Sequence, residues 1–550
     1  MNDSRSAPEA VEDVSLLRAA LLGGPLWVLL VSLGGLITGA LDLAEALLLV
    51  GPLVTVPLGL RAIVSPGSPG SPALAWVGRA VGAALLPAAV SCGCALVFVP
   101  DSGPLAAGLV LPWVLVTGLI GLLGLVRLRG AWGAWSSSEP GTATRLPAIS
   151  LVSLAAGPLL LPVGGAWLLA SRAGIPVLGF AEPWPLLTAA HVHFAGFALP
   201  ILAGLAARAL PGPLSGAACA GVLAGVPLVA AGITLSRTGP MWPEWLAGWL
   251  LAGAGALVAV TQLRLAWRMG GGRGLLLAVS GLALLVGLSL AAVWSLARGP
   301  VWGGRGVEWL SLGTMVRTHA PIMVCGFALP GLLAWTRWGV ELRWSGAPPR
   351  LTELEDWERR QAAPAVLAGP GPGDHHDAHV RTVGFEPPGP PLPDEDPAAL
   401  STALPTALHR RAAAAVLAYD VFPRWLLRPL VRRAPVQAGD TLGGLFRLGP
   451  GLELRFASRV IDVFDRAEGG AWRTGFTYRT LPGHPEEGEE TFAVEKDLAS
   501  GRVQVALRAW SRPGAPPVRA LAPLGRLVQR GAGKLAVRRL ARRAHAGRAG

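Results

Sequence analysis

Ten apolar runs, each about twenty residues long, constrain this chain more than anything else in it. They cover roughly 16–38, 43–64, 77–99, 104–126, 147–170, 185–207, 213–235, 243–265, 274–296 and 309–336. About 20 residues of α-helix cross the hydrocarbon core of a bilayer, and a lipid-exposed helix satisfies its own backbone there. The runs therefore predict an all-α polytopic membrane domain over 1–340. Composition agrees: 52% hydrophobic, 15% charged, mean hydropathy +0.50, which excludes an ordinary soluble protein.

The net charge of +13 comes almost wholly from arginine, since Lys496 and Lys534 are the only lysines. Arginine over lysine, with abundant Ala, Gly and Pro, is the usage of a GC-rich bacterial genome. With the N-terminus in the cytoplasm, inside segments carry eleven arginines: Arg5, Arg18, Arg61, Arg79, Arg127, Arg129, Arg145, Arg208, Arg264, Arg268 and Arg273. Outside loops carry four: Arg172, Arg237, Arg298 and Arg305. The bias predicts a bacterial inner-membrane protein with both termini cytoplasmic. It accounts for the charge without nucleic acid, which is not an expected partner. Asp3, Glu9, Glu12 and Asp13 precede the first run, so no cleaved signal peptide is expected. Cys92, Cys94, Cys219 and Cys325 all fall in apolar runs and read as packing residues.

Ionisable groups at membrane depth are costly and face a protein interior, a ligand or a cavity. Acidic residues keep to loops and run ends, which weakens a proton-coupled carrier, while scattered Gly and Pro suit discontinuous helices. Histidines do enter the runs. His191-Val-His193-Phe-Ala-Gly-Phe-Ala-Leu-Pro200 has a counterpart in Arg317-Thr-His319-Ala-Pro-Ile-Met-Val-Cys-Gly-Phe-Ala-Leu-Pro330. Measured from the shared glycine, His193 and His319 differ in offset by four residues, about one turn, and so are expected on corresponding faces. Both runs are even-numbered and parallel, as in a structural repeat. His191 and His193 lie about 200° apart on a regular helix and face opposite ways. Three roles stay open for His191, His193 and His319: interhelical packing, a polar path or ligand pocket shared with Arg317, and ligation of haem or a metal.

The His-Val-His-Phe stretch resembles the His-Phe-His helix of haem–copper oxidases, although that family's copper-site histidines and channel acids have no counterparts. Over roughly the first 340 residues the His-x-His-Phe-Ala-Gly-Phe segment resembles the YndJ-like membrane family, which implies membrane location and, more weakly, transport.

The segment 341–400 reads as a Pro/Gly-rich linker, with a helical patch near 351–363 and a solvated Asp374-His375-His376-Asp377-Ala-His379 cluster. Residues 401–550 read as a soluble α+β domain: a helix over 406–418, strands at 452–464, 472–478, 490–496 and 503–510, and a basic helix over 518–543. Tyr478-Arg-Thr-Leu-Pro-Gly-His484-Pro-Glu486-Glu-Gly-Glu489-Glu490, followed by Ser511-Arg-Pro, resembles the signature of an uncharacterised bacterial and plant domain family. Arg479 stands where that family has glycine. Leu481–Pro485 predicts a tight turn, and Tyr478, His484, Glu486, Glu489 and Glu490 are its candidate ligand-binding residues. The element order is similar to START-like helix-grip domains, an analogy of fold alone. Two roles stay open for the basic helix: a surface for anionic lipid, and a sheet-packing helix with a frayed basic tail. The leading expectation is a non-enzymatic membrane protein that handles a small or lipophilic ligand, a transporter with a ligand- or lipid-binding tail. The alternatives are a haem- or metal-binding redox or sensor protein, and a structural scaffold.

Overall fold

The computed structural model describes residues 7–38, 42–63, 72–99, 101–136, 145–297, 310–336, 341–344, 354–355, 369–371, 374–388, 405–449 and 452–545. The chain divides into two compact units, Met1–Arg337 and Trp338–Gly550.

Among the described residues the first unit contains ten helices long and apolar enough to cross a membrane. They are α1 (Ala7–Thr38), α2 (Leu43–Ile63), α3 (Pro72–Phe98), α4 (Pro104–Ser136), α5 (Arg145–Ala173), α6 (Trp184–Ala209), α7 (Pro213–Ser236), α8 (Trp242–Met269), α9 (Gly271–Ala297) and α10 (Leu312–Trp335). Each coincides with one apolar run.

Three of them are not α-helical throughout. α2 widens to a π-helix over Gly51–Thr55, α6 over Val192–Ala198 and α10 over Ile322–Ala328. Every π segment closes with an N–H reaching five residues back: Val56 to Gly51, Leu199 to Phe194 and Leu329 to Val324. The next residue is proline each time, Pro57, Pro200 and Pro330. A proline ring inside an α-helix collides with the carbonyl four residues back and offers it no donor. Widening the preceding turn moves that carbonyl aside. Serine hydroxyls from neighbouring helices donate to carbonyls here, Ser153 to Pro200 O (2.8 Å) and Ser280 to Phe327 O (2.9 Å).

The α2 and α6 π segments pack on each other, as do those of α6 and α10. Glycines make the close approach possible. A Cβ on Gly59 would stand 2.5 Å from the Phe197 ring, and one on Gly157 would stand 2.7 Å from Phe197 O. Phe197 itself is wholly buried. At the first turn of α2, Glu45 accepts from Arg172 of α5 at 2.9 Å, both largely buried.

The second unit is a curled antiparallel sheet holding two helices against one face. The elements are β1 (Glu341–Trp344), β2 (His375–Phe385), α11 (Ala407–Leu417), β3 (Leu427–Leu430), β4 (Thr441–Gly449), β5 (Leu452–Glu468), β6 (Ala471–Thr480), β7 (Glu486–Asp497), β8 (Arg502–Pro513), α12 (Pro516–Ala520) and α13 (Ala522–His545). Sheet order is β2-β8-β7-β6-β5-β4-β3, with β1 on β5. The core joins Ala412 and Val416 of α11 and Ala536 and Leu540 of α13 to Phe476, Phe492 and Val505 of the sheet. The Glu386 carboxylate caps α11 by accepting from Thr406 N (3.0 Å) and His409 N (2.9 Å).

The segment 341–400 is more than a linker. β2 lies within it, paired with β8 from His375↔Ser511 to Phe385↔Arg502, so the Asp374–His379 cluster belongs to an ordered edge strand. The helical patch expected near 351–363 lies almost wholly outside the described residues. β2 escaped notice because its side chains are polar on both faces, β3 because it is four residues long, and β4 because Gly443 and Gly444 interrupt it.

Candidate functional site

In the helical unit the three histidines separate into one sealed residue and two with a less enclosed imidazole. His193 Nδ1 donates to Ala189 O at 2.7 Å, and its Nε2 accepts from Trp113 Nε1 at 3.1 Å. Both ring nitrogens are used, the side chain is fully buried, and Gly51 and Gly164 crowd the imidazole from either side. His193 is a packing residue at the π junction with no free lone pair for a metal.

His191 is exposed, with Nδ1 on Leu187 O at 2.7 Å. His319 bonds Gly287 O of α9 through Nδ1 at 3.0 Å, leaving Nε2 uncommitted. His319 lies within electrostatic reach of His191, one from α10 and one from α6. The expected correspondence of His193 with His319 fails, because α-helical counting from the shared glycine runs through π turns. Arg317 and Thr318 are exposed beside His319. Deeper, the Thr55 hydroxyl in the α2 π segment is fully buried and unpartnered. Among the described residues no three His, Cys, Asp or Glu side chains are placed to hold a metal.

In the second unit the candidate ligand-binding residues of the motif are split by strand alternation. Glu489 and Glu490 point to opposite faces of β7. Glu489 takes Arg479 at 2.6 Å on the face away from the helices. Arg479, the departure from the family's glycine, is thus a salt-bridge partner. Leu481-Pro-Gly-His484 is a type II turn: His484 N donates to Leu481 O at 3.0 Å and Gly483 sits at φ +85°. His484 Nδ1 accepts from Glu486 N at 3.1 Å, the ring packs on Phe456, and burial holds its pKa down to about 4.

Glu490 points inward, where the Tyr478 hydroxyl donates to it. Burial pushes its pKa up to about 7, the tyrosine bond offsets part of the rise, and Asp377 adds to it. Asp377, Ala509, Glu490 and Tyr478 form one cross-strand row through β2, β8, β7 and β6. Tyr419 completes the group, hydrogen-bonded to Tyr478 with ring centroids 6.3 Å apart. It ends α11 in the left-handed region at φ +53°, where Tyr419 N donates to Val416 O and Asp420 N to Ala415 O. That pattern closes a Schellman motif in which glycine is usual. A bulky residue held there is strained, and such strain concentrates at functional positions. Glu486 of β7, in register with Pro513 of β8, also has its pKa raised to about 7 by burial, and its Oε2 is buried without a partner.

The YndJ-like family profile matches residues 46–327, just over half of the chain. The protein belongs to the YndJ-like family. The match takes in the π segments of α2 and α6, that of α10 up to Phe327, and His191, His193 and His319. Residues 392–539 match a second family, described as a domain of unknown function (DUF1990). The chain is also 36% identical over 147 residues to the UPF0548 protein of Deinococcus radiodurans, covering 25% of this chain and 72% of that one. That similarity places this YndJ-like protein among the UPF0548 proteins as well. No solved structure matches it.

Sequence reasoning missed Thr55, Tyr419 and Asp377. A usable signal existed for two of them. Val56-Pro57 repeats the Leu-Pro step of α6 and α10, and Tyr419 is one of only two tyrosines in the chain.

Proposed function

We propose that this YndJ-like protein is a multi-pass membrane protein that binds and moves a small or lipophilic ligand between α2, α6 and α10, with the second unit as a ligand-responsive tail. The meeting of π segments from α2, α6 and α10 carries this reading. Irregular helix turns recur at functional sites, and backbone broken at membrane depth is tolerated only where protein buries it or a cavity receives it. The unpartnered Thr55 hydroxyl supplies a polar contact at the junction, and His191, His319 and Arg317 supply polar groups along the route to it.

The test is solvent extraction and mass spectrometry of what the detergent-purified protein retains. One species held near stoichiometry by the wild type and lost from Thr55→Val and Arg317→Ala is expected. Retention of nothing above a blank, or retention unchanged by both substitutions, rejects the proposal. An optical spectrum of the same samples tests the haem alternative: a Soret band lost in His319→Ala would replace this reading.

A further inference from the structure

We propose that α13 docks the second unit on an anionic lipid surface, with Leu524, Leu527 and Val528 entering the interface and Lys534, Arg538 and Arg542 meeting phosphates. The inference comes from how the helix divides its side chains. One face is spent on the sheet: Arg526 bonds His375, Gln529 donates to Ser511 Oγ at 2.9 Å, and Ala536, Leu540 and Ala544 are buried. Both flanks are spent on ion pairs, Arg530 with Asp377 at 3.5 Å on one side and Arg539 and Arg543 with Asp420, each at 2.6 Å, on the other.

What is left forms one stripe. At 100° per residue, Leu524, Leu527, Val528, Lys534, Arg538 and Arg542 fall within about 120° of the helix circumference. The three apolar residues are exposed by 56%, 69% and 43%. The three cations have no partner among the described residues. Exposed leucines are ordinarily avoided on a solvated helix, and a basic helix carrying them is the composition of an interfacial anchor. Charge complementarity selects an anionic surface. The arginine bias of the first unit predicts the cytoplasmic leaflet, whose lipids carry that charge. Helix α13 spans 24 residues, roughly 36 Å, long enough to engage several headgroups along one side.

The experiment uses the full chain in lipid nanodiscs, with Cys92, Cys94, Cys219 and Cys325 replaced by alanine and a fluorophore on Leu527→Cys. Nitroxide carried on the lipid acyl chains is the quencher. Strong quenching is expected in discs containing phosphatidylglycerol and weak quenching in phosphatidylcholine alone. The combined Lys534→Gln, Arg538→Gln and Arg542→Gln variant is expected to weaken docking by about a hundredfold, about fivefold per cation. Salt near 1 M, where screening acts within about 3 Å, should have the same effect. Amide exchange over 524–528 in the unmodified chain, slower in anionic discs, gives a readout independent of the cysteine replacements. Equal quenching in both discs overturns the proposal. So does a fluorophore shielded from aqueous iodide yet untouched by lipid quencher, which would mean a protein covers the stripe.

Discussion

Glu490 shows how a single buried carboxyl ties the interior of the sheet to pH. Its pKa is raised from 4.5 to about 7, chiefly by burial. Between those values the folded protein keeps a proton that the unfolded chain has released, so stability falls as pH rises through this window and levels off above it. Glu490→Gln retains an acceptor for the Tyr478 hydroxyl but cannot ionise. It is expected to be neutral below pH 4.5 and stabilising by up to about 3 kcal/mol above pH 7. Melting curves of the full-length protein from pH 4 to 8 check this, and a variant that tracks the wild type across the range refutes it. His484, held down to about 4, acts in the opposite sense below pH 6.5, and comparison of the two proteins cancels it. Tyr478 and Glu490 were recognisable as candidates from their motif. That Tyr419 packs on Tyr478 from the end of α11, 59 residues earlier, is set by the fold.

At the scale of the element, the recurring device is a π turn placed ahead of a proline. The shared Gly-Phe-Ala-Leu-Pro of α6 and α10 marked two of these elements in the sequence, although regular helical counting then misplaced His193 relative to His319. The third, in α2, has a different local sequence and became visible through its bond from Val56 to Gly51 O. Close packing of these elements rests on glycine. Gly59→Ala would place a methyl group 2.5 Å from Cε1 of the buried Phe197. Overpacking of this kind costs about 1–3 kcal/mol, read as a lowered melting temperature in detergent. Gly248→Ala, where a Cβ meets nothing within 4 Å, is the matched control and should leave stability unchanged or slightly raised. Equal melting temperatures for the two variants would show that Phe197 is free to move aside.

At the scale of the whole molecule, the arginine distribution makes a prediction about placement. Reporter fusions are expected to read cytoplasm after Arg208 and at the C-terminus, and the opposite side after Arg237. A C-terminal reporter on the outside would reverse the orientation and remove the anionic leaflet from the reach of α13. The sequence by itself determined the ten apolar helices, strands β5 to β8 and helices α11 and α13 of the second unit. Those depend on hydrophobic period and run length, which any short window contains. The tertiary structure alone decided which polar groups meet. Trp113 with His193 and Tyr419 with Tyr478 are each joined by packing between separate elements. Whether a buried side chain is a sealed structural group or an open site depends on what occupies its remaining hydrogen-bond positions, and the occupant comes from elsewhere in the chain.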